Sequence, residues 1–415
     1  MKSADNTDQL RKDAFAIVLA AIRAVKPDEA VKRALSNVLL SGNVYLISVG
    51  KAAWQMADAA VRCLEQPIKA GIVLTKYHHV MGKIPSVTCY EAGHPVPDEN
   101  SYAGTEAILQ MTANLDKDDT VLFLLSGGGS ALFEKPLVDP EVLQKITERM
   151  LASGADIVQM NTIRKRLSGV KGGKFAKWCD PARIEAVILS DILGDPLDMI
   201  ASGPAVADSS TCAEAIEIAE KYGLIEDDTV RICLGAETPK EVSNVHNQIV
   251  GSVKALCTAA ELAASQMGYE TVFLTDQLSC EAKEAGAYLG ELLNQHSNDG
   301  KKLAFIAGGE TVVRLTGTGL GGRNQELALA AAKHIAGIKN AALISVGSDG
   351  TDGPTDAAGG YVDGNTLAAL MQQGIDYESV LDNNDSYHAL AAIDSLVMTG
   401  PTGTNVNDVV IGLIG

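Results

Sequence analysis

Ser126-Gly-Gly-Gly-Ser130 sets three glycines between two hydroxyls, directly after the apolar run Val121–Leu125. Gly127, Gly128 and Gly129 would let backbone N–H groups close around an anion while Ser126 and Ser130 donate hydroxyls. The plainer alternative is a tight turn with a capping serine. Lys51 occupies a similar place, after Val44–Val49 and Gly50 and before the helix-like Ala52–Leu64. There an ammonium would stand at a strand-to-helix turn, for chemistry or merely at the surface. Asp191 and Asp195 surround a turn after Ala186–Ser190. Carboxylates so placed either cap turns and helices or take protons.

The stretch Leu315 to Glu326 supports two incompatible readings. Gly317, Gly319 and Gly322 match G-x-G-x-x-G between an apolar run, Thr311 to Leu315, and an alanine-rich helical pattern. That is a dinucleotide-binding spacing. Arg323 follows the last glycine, and its planar donor fork suits phosphate or carboxylate at a helix start that already favours anions. Either way the loop is expected to bind an anion. The dinucleotide reading also asks for an acidic residue about 20 residues further on. Asp349 meets that only loosely, and the chain beyond is short for a six-strand domain.

Asp349, Asp352 and Asp356 stand three or four residues apart among glycines and threonines. Such oxygen ligands suit Mg²⁺ held jointly with a nucleotide's phosphates, or they satisfy their own turn backbone. Glu310, after Gly308-Gly309, is a further oxygen candidate. The segment Asn161–Lys174 gathers Arg164, Lys165, Arg166, Lys171 and Lys174, either a positive pocket or a solvated basic face. His94 lies in Gly-His-Pro-Val-Pro-Asp, where the prolines argue for shape more than for proton transfer. No Walker A motif occurs.

These residues need a scaffold, and short Val/Ile/Leu runs alternating with helix-length stretches predict parallel sheets covered on both faces. Expected strands are Val44–Val49, Gly71–Thr75, Val87–Glu91, Val121–Leu125 and Ala186–Ser190. A second set is Thr271–Leu274, Leu303–Ala307, Val312–Leu315, Leu343–Val346, Leu396–Met398 and Val409–Leu413. Two sheets suit this number better than one. A helix over Cys212–Tyr222 and the linker-like Gly235–Asn244 separate the sets, which predicts domains at residues 1–245 and 246–415.

The 415 residues carry a net charge of −18, which argues against a nucleic-acid or membrane-surface partner. Seven cysteines without a C-x-x-C pair are poor material for disulfides or zinc, as expected in reducing cytoplasm. The early apolar run Ala14–Ile22 is too short to span a bilayer and reads as no export signal.

Taken in order, Ser48-Val-Gly-Lys-Ala, Gly93-His-Pro-Val-Pro-Asp, Leu125-Ser-Gly-Gly-Gly-Ser-Ala, Leu189-Ser-Asp-Ile-Leu-Gly-Asp, Gly308-Gly-Glu-Thr, Gly321-Gly-Arg-Asn-Gln-Glu and Gly347-Ser-Asp-Gly-Thr-Asp-Gly-Pro-Thr resemble the glycerate 2-kinase family, whose C-terminal part is the MOFRL domain. The resemblance runs through nearly the whole chain. It implies an α/β protein of two three-layer α/β/α domains with mostly parallel, Rossmann-like sheets and an interdomain active-site cleft. It also implies transfer of the ATP γ-phosphoryl group to the 2-hydroxyl of D-glycerate, with ATP and Mg²⁺ required. Lys51 and Arg323 match the family's catalytic positions, and Asp191 is the expected base. Ser126, Gly127, Gly128, Gly129, Ser130, Arg164, Glu310 and Asn324 are expected around substrate and nucleotide, and Asp349 and Asp352 on the metal. The family also carries the label hydroxypyruvate reductase, so NAD(P)H-dependent reduction is the enzyme alternative. A metabolite- or nucleotide-binding protein without turnover is the other. An assembly of identical chains is left open.

Overall fold

The computed structural model describes residues 2–36, 38 and 40–415. The chain forms two compact units, Pro27–Val250 and Met1–Lys26 with Gly251–Gly415. The first helix, α1 (Lys2–Ala24), thus leaves the N-terminal unit to which a boundary at residue 245 would assign it.

In the unit Pro27–Val250 the strands are β1 (Val44–Val49), β2 (Ala70–Lys76), β3 (Val87–Ala92), β4 (Thr120–Leu125), β5 (Arg183–Leu189) and β6 (Val245–Gly251). Its helices are α2 (Pro27–Leu35), α3 (Ala53–Cys63), α4 (Glu99–Met111), α5 (Gly129–Leu132), α6 (Pro140–Ala152), α7 (Ile157–Leu167), α8 (Lys174–Cys179), α9 (Cys212–Tyr222) and α10 (Asp228–Leu234). The sheet order β3-β2-β1-β4-β5-β6 is that of the doubly wound dinucleotide-binding fold, with β1 through β5 paired in parallel. The continuous apolar strands bury both faces. Ile47, Val49, Val121, Phe123 and Leu125 enter one core, and Leu46, Leu122 and Leu124 the other. Phe123, Phe133 and Phe175 pack at centroid distances of 5.1–6.0 Å beneath the loop after β4.

The other unit holds α11 (Val253–Gln266), β7 (Glu270–Leu278), α12 (Ala282–His296), β8 (Leu303–Gly309), α13 (Arg323–Ala332), β9 (Ala341–Gly347), β10 (Gly359–Asp363), α14 (Thr366–Gln372), α15 (Tyr377–Asp382), α16 (Ser386–Ala391), β11 (Leu396–Val397) and β12 (Asp408–Ile414). Its sheet runs β11-β10-β9-β12-β8-β7. The C-terminal strand β12 inserts antiparallel between β8 and β9, so β7, β8, β9 and β11 share one direction and β10 and β12 oppose it. Apolar runs report burial and not direction, which is why the sequence did not foretell this insertion. Helix α1 packs on α11 and β9, with Leu10, Ala14, Ile17, Val18 and Ala21 buried. Asp13 Oδ2 accepts from the Tyr269 hydroxyl at 2.7 Å, fixing the helix by a buried polar contact as well.

Two strands were not anticipated. β6 reads Val-His-Asn-Gln-Ile-Val-Gly and lies at the sheet edge, where polar side chains are tolerated. β10 opens on Gly359, where an added Cβ would stand 1.9 Å from the Ser345 carbonyl oxygen. Conversely, the expected strand Val312–Leu315 is irregular apart from a bridge at Val312, with Leu315 exposed.

Candidate active site

In the unit Pro27–Val250, apolar β4 ends at Leu125 and the chain turns through Gly127 and Gly128, the latter at φ 86°. Several polar residues meet at this turn. A Cβ on Gly127 would stand 2.1 Å from Asp191 Oδ2. One on Gly128 would come within 3.0 Å of the His94 ring and 3.2 Å of Lys51 Cγ. Only glycine lets the turn fit between Asp191 on one side and Lys51 with His94 on the other. The Lys51 N–H donates to Gly127 O at 2.9 Å, so the turns after β1 and β4 are stitched together. Ser126 completes the stitch, its Oγ accepting from Ala52 N at 3.1 Å. Ser126 is buried and serves the scaffold, not the ligand-facing role expected of it.

A cavity of about 330 Å³ opens beside this turn. Gly127, Gly128, Gly129, Ser130, Arg164 and Asp191 line its polar side, and Val96, Leu143, Leu151 and Ile157 its apolar side. His94 also lines it, and burial, then the Lys51 charge, push its pKa down, so the imidazole is neutral. Proline-fixed shape was all the sequence offered for His94. Its neighbours across the fold were the missing signal.

The five basic residues of the segment 161–174 divide. Lys165 Nζ pairs with Asp208 at 3.1 Å and Asp198 at 3.2 Å, and Arg166 donates to Ser210 O at 2.8 Å. Lys171 pairs with Glu134 in the core. Lys174 Nζ donates to the Lys165 and Ser168 carbonyls at the end of α7, and burial holds it down to about 8. No hydrogen bond or ion pair reaches Arg164 among the described residues, although burial disfavours its charge. One of the five therefore faces the cavity with its donors open, and four hold the fold together.

Left-handed backbone marks a segment that the sequence did not single out. Ala201 and Ser202 have φ of 50° and 60° and are buried, costing strain that non-glycine residues seldom bear. Ser202 Oγ donates to Asn161 Oδ1 at 2.8 Å and lies 3.2 Å from Ser130 Oγ. Met199, Ile200 and Ala201 form part of the cavity wall.

In the other unit, Arg323 opens α13 and is gripped from below by Asp408 at the start of β12. Nε meets Oδ2 at 2.6 Å and Nη2 meets Oδ1 at 3.0 Å. Nη1 reaches the more exposed Glu310 at 3.1 Å. Burial works against the Arg323 charge, but Asp408 outweighs it and keeps the guanidinium ionised. Asp408 is 4% exposed, and burial pushes its carboxyl up to about 6 in spite of Arg323, leaving it ionised at neutral pH. Asp408 stands 85 residues from its partner, beyond the reach of any local motif.

The glycines before Arg323 do not form a phosphate loop. Thr316 and Gly317 N–H donate to Asn384 Oδ1 at 2.7 and 3.0 Å, and Gly319 N–H donates to Asn383 O at 2.9 Å. The anion position at the start of α13 is taken by Asp352, which accepts from Asn324 N at 3.1 Å and Gln325 N at 2.9 Å. Both oxygens of Asp352 are thus committed, and Asp349 Oδ1 accepts from Thr351 N at 3.0 Å. No group of three His, Cys, Asp or Glu side chains suited to a metal occurs among the described residues. Asn324, expected at the ligand, is buried between Asp352 and the Ser345 hydroxyl.

One α/β unit thus carries a cavity lined by Arg164, Asp191 and the glycine turn, and the other carries an arginine gripped by buried Asp408. Residues 13–234 match the family described as Domain of unknown function (DUF4147), and residues 303–408 match the MOFRL family. The chain is 50% identical to the D-glycerate 2-kinase of Thermotoga maritima over 413 residues, covering 98% of this chain and 99% of that one. It is 39% identical to the glycerate 2-kinase of Pyrococcus horikoshii over 434 residues, covering 98% and 97%. The crystal structure of glycerate kinase from T. maritima superposes with a TM-score of 0.94 at 49% identity, covering 98% of this chain and 100% of that chain. The chain belongs to the glycerate 2-kinase family, a family of phosphotransferases. No helix among the described residues is long and apolar enough to cross a membrane.

Proposed function

We propose that the protein transfers the γ-phosphoryl group of ATP, presented as its magnesium complex, to the 2-hydroxyl of D-glycerate, giving 2-phosphoglycerate and ADP. The bond from O2 to the γ-phosphorus forms, the bond from that phosphorus to the β,γ-bridging oxygen breaks, and Asp191 accepts the hydroxyl proton. The observation that carries this reading is that Lys51 and Asp191 flank the Gly127–Gly128 turn, with Asp191 also lining the cavity that holds the open Arg164. Arg164 takes the glycerate carboxylate. Lys51 neutralises charge on the transferred oxygens, and Arg323, fixed by Asp408, is the second cationic residue on which turnover depends. Phosphoryl transfer rests on positioning and charge neutralisation, so fixed cations are the chemistry it needs. Magnesium enters with the nucleotide and shields its phosphates.

The test is incubation with D-glycerate, ATP and Mg²⁺, with the product identified by ³¹P NMR, beside a reaction containing hydroxypyruvate and NAD(P)H. The expected product is 2-phosphoglycerate. Oxidation of NAD(P)H without any phosphorylated product would refute the proposal in favour of the reductase. The occupied backbone of residues 316–319 gives that alternative no dinucleotide loop.

A further inference from the structure

One acidic side chain of the cavity takes no part in the phosphoryl transfer. Glu134 lines the cavity and is only 3% exposed. Its Oε2 is committed to Lys171, itself fully buried, which also donates to Phe133 O at 3.0 Å. Its Oε1 is buried with no hydrogen-bond partner. Arg164 lines the same cavity and feels the Glu134 charge, yet forms no ion pair with it.

A buried acceptor left unpaired costs stability and calls for an explanation. Here a cation with open donors and a carboxylate with one buried, unpartnered oxygen belong to the lining of one cavity without satisfying each other. The complementary ligand carries an anionic group for Arg164 and an O–H or N–H donor for Glu134. Glycerate has both. Its carboxylate suits Arg164, its 2-hydroxyl is the reacting group near Asp191, and its C3 hydroxyl is the donor that the reaction leaves unused.

We propose that Glu134 is a specificity-determining residue whose Oε1 accepts a hydrogen bond from the C3 hydroxyl of glycerate. This rests on the kinase reading. A site built to bond a substrate hydroxyl rejects the analogue lacking it far more strongly than an apolar pocket rejects a missing methylene. D-Lactate, which differs from D-glycerate by that hydroxyl alone, is the probe.

The experiment measures kcat/KM for D-glycerate and D-lactate with MgATP. In the natural protein D-glycerate is expected to be preferred by about 10³-fold or more. Glu134→Gln, whose amide N–H can still donate to the C3 oxygen, is expected to narrow the ratio less than removal of both groups does. Glu134→Leu with Lys171→Met removes both members of the buried pair, so no charge is stranded, and should bring the two efficiencies together. Thermal melting accompanies each variant, and a ratio is insensitive to a loss of folded protein that lowers both rates alike. An unchanged ratio in the folded double variant overturns the assignment, and comparable turnover of D-lactate by the natural protein overturns it even if the double variant does not fold. Absence of turnover on D-glycerate by the natural protein overturns the kinase reading and this assignment with it.

Discussion

Arg164 and Arg323 are both partly buried guanidiniums, yet one has open donors and the other is gripped on two sides. Arg164 lies on a cavity wall, on a helix whose neighbouring cations Lys165 and Arg166 are consumed by Asp208, Asp198 and Ser210. Arg323 is locked to buried Asp408 and touches Glu310 at the surface. The difference suits the two uses proposed for these side chains. Open donors bind whatever anion arrives, whereas a fork held at fixed distance keeps its remaining N–H groups aimed at one place, which transition-state stabilisation demands.

The comparison breaks first on the centre of the chemistry. Lys51→Ala and Arg323→Ala should each lower kcat by about 10³-fold or more, the scale of a lost cation in phosphoryl transfer. A steady-state assay of 2-phosphoglycerate, run on variants with unchanged melting, checks this. Asp191→Asn should cost about 10²-fold or more, the usual range for a lost general base. Full turnover in Asp191→Asn beside an inactive Lys51→Ala would remove Asp191 from the base role. Arg164→Ala tests the other side of the comparison. Its KM for D-glycerate should rise by about 10- to 100-fold, the loss of a charge-assisted hydrogen bond, with a smaller effect on kcat. If kcat falls by the factor expected for Arg323→Ala and KM does not rise, the distinction between a binding and a catalytic arginine fails.

Much of this was legible in the residues. The apolar runs gave most strands because strands of a doubly covered sheet are apolar throughout, and Gly127–Gly129 stood out because glycines at a strand end let backbone N–H groups close around an anion. The partners of each charge were not legible. Five cations between residues 161 and 174 look alike in sequence, and only the positions of Asp208, Glu134 and the α7 carbonyls single out Arg164. Gly317, Gly319 and Gly322 misled for a related reason. Their spacing says that something comes close to the backbone, and here it is the chain itself, at Asn383, Asp385 and Asp352. Asp352 likewise has the look of a metal ligand but caps α13. Asp408 and Glu134 carried no local signature at all.

Asp408 offers the finest test of the gripped arginine, because activity and stability should move in opposite directions with pH. With its carboxyl raised to about 6 in the folded protein, protonation as the pH falls through 6 removes the charge that grips Arg323. The rate should therefore decline below about 6. The stability contribution has the other sign. A carboxyl whose folded pKa lies above its unfolded value of 3.8 binds its proton more tightly when folded. Its burial penalty is fully present above about 6 and is relieved as the pH falls from there towards 3.8. Loss of rate between pH 7 and 5.5 without loss of melting temperature is thus the signature of Asp408, not of acid unfolding. Asp408→Asn supplies the control, since an amide accepts on one oxygen only and does not titrate. Its rate at pH 7 should be about tenfold lower, on the scale of one lost charge-assisted hydrogen bond. The decline that remains in Asp408→Asn should be shallower, reflecting protonation of ATP and other groups. An acid limb of equal steepness in the variant would show that the arginine keeps its aim without the Asp408 charge.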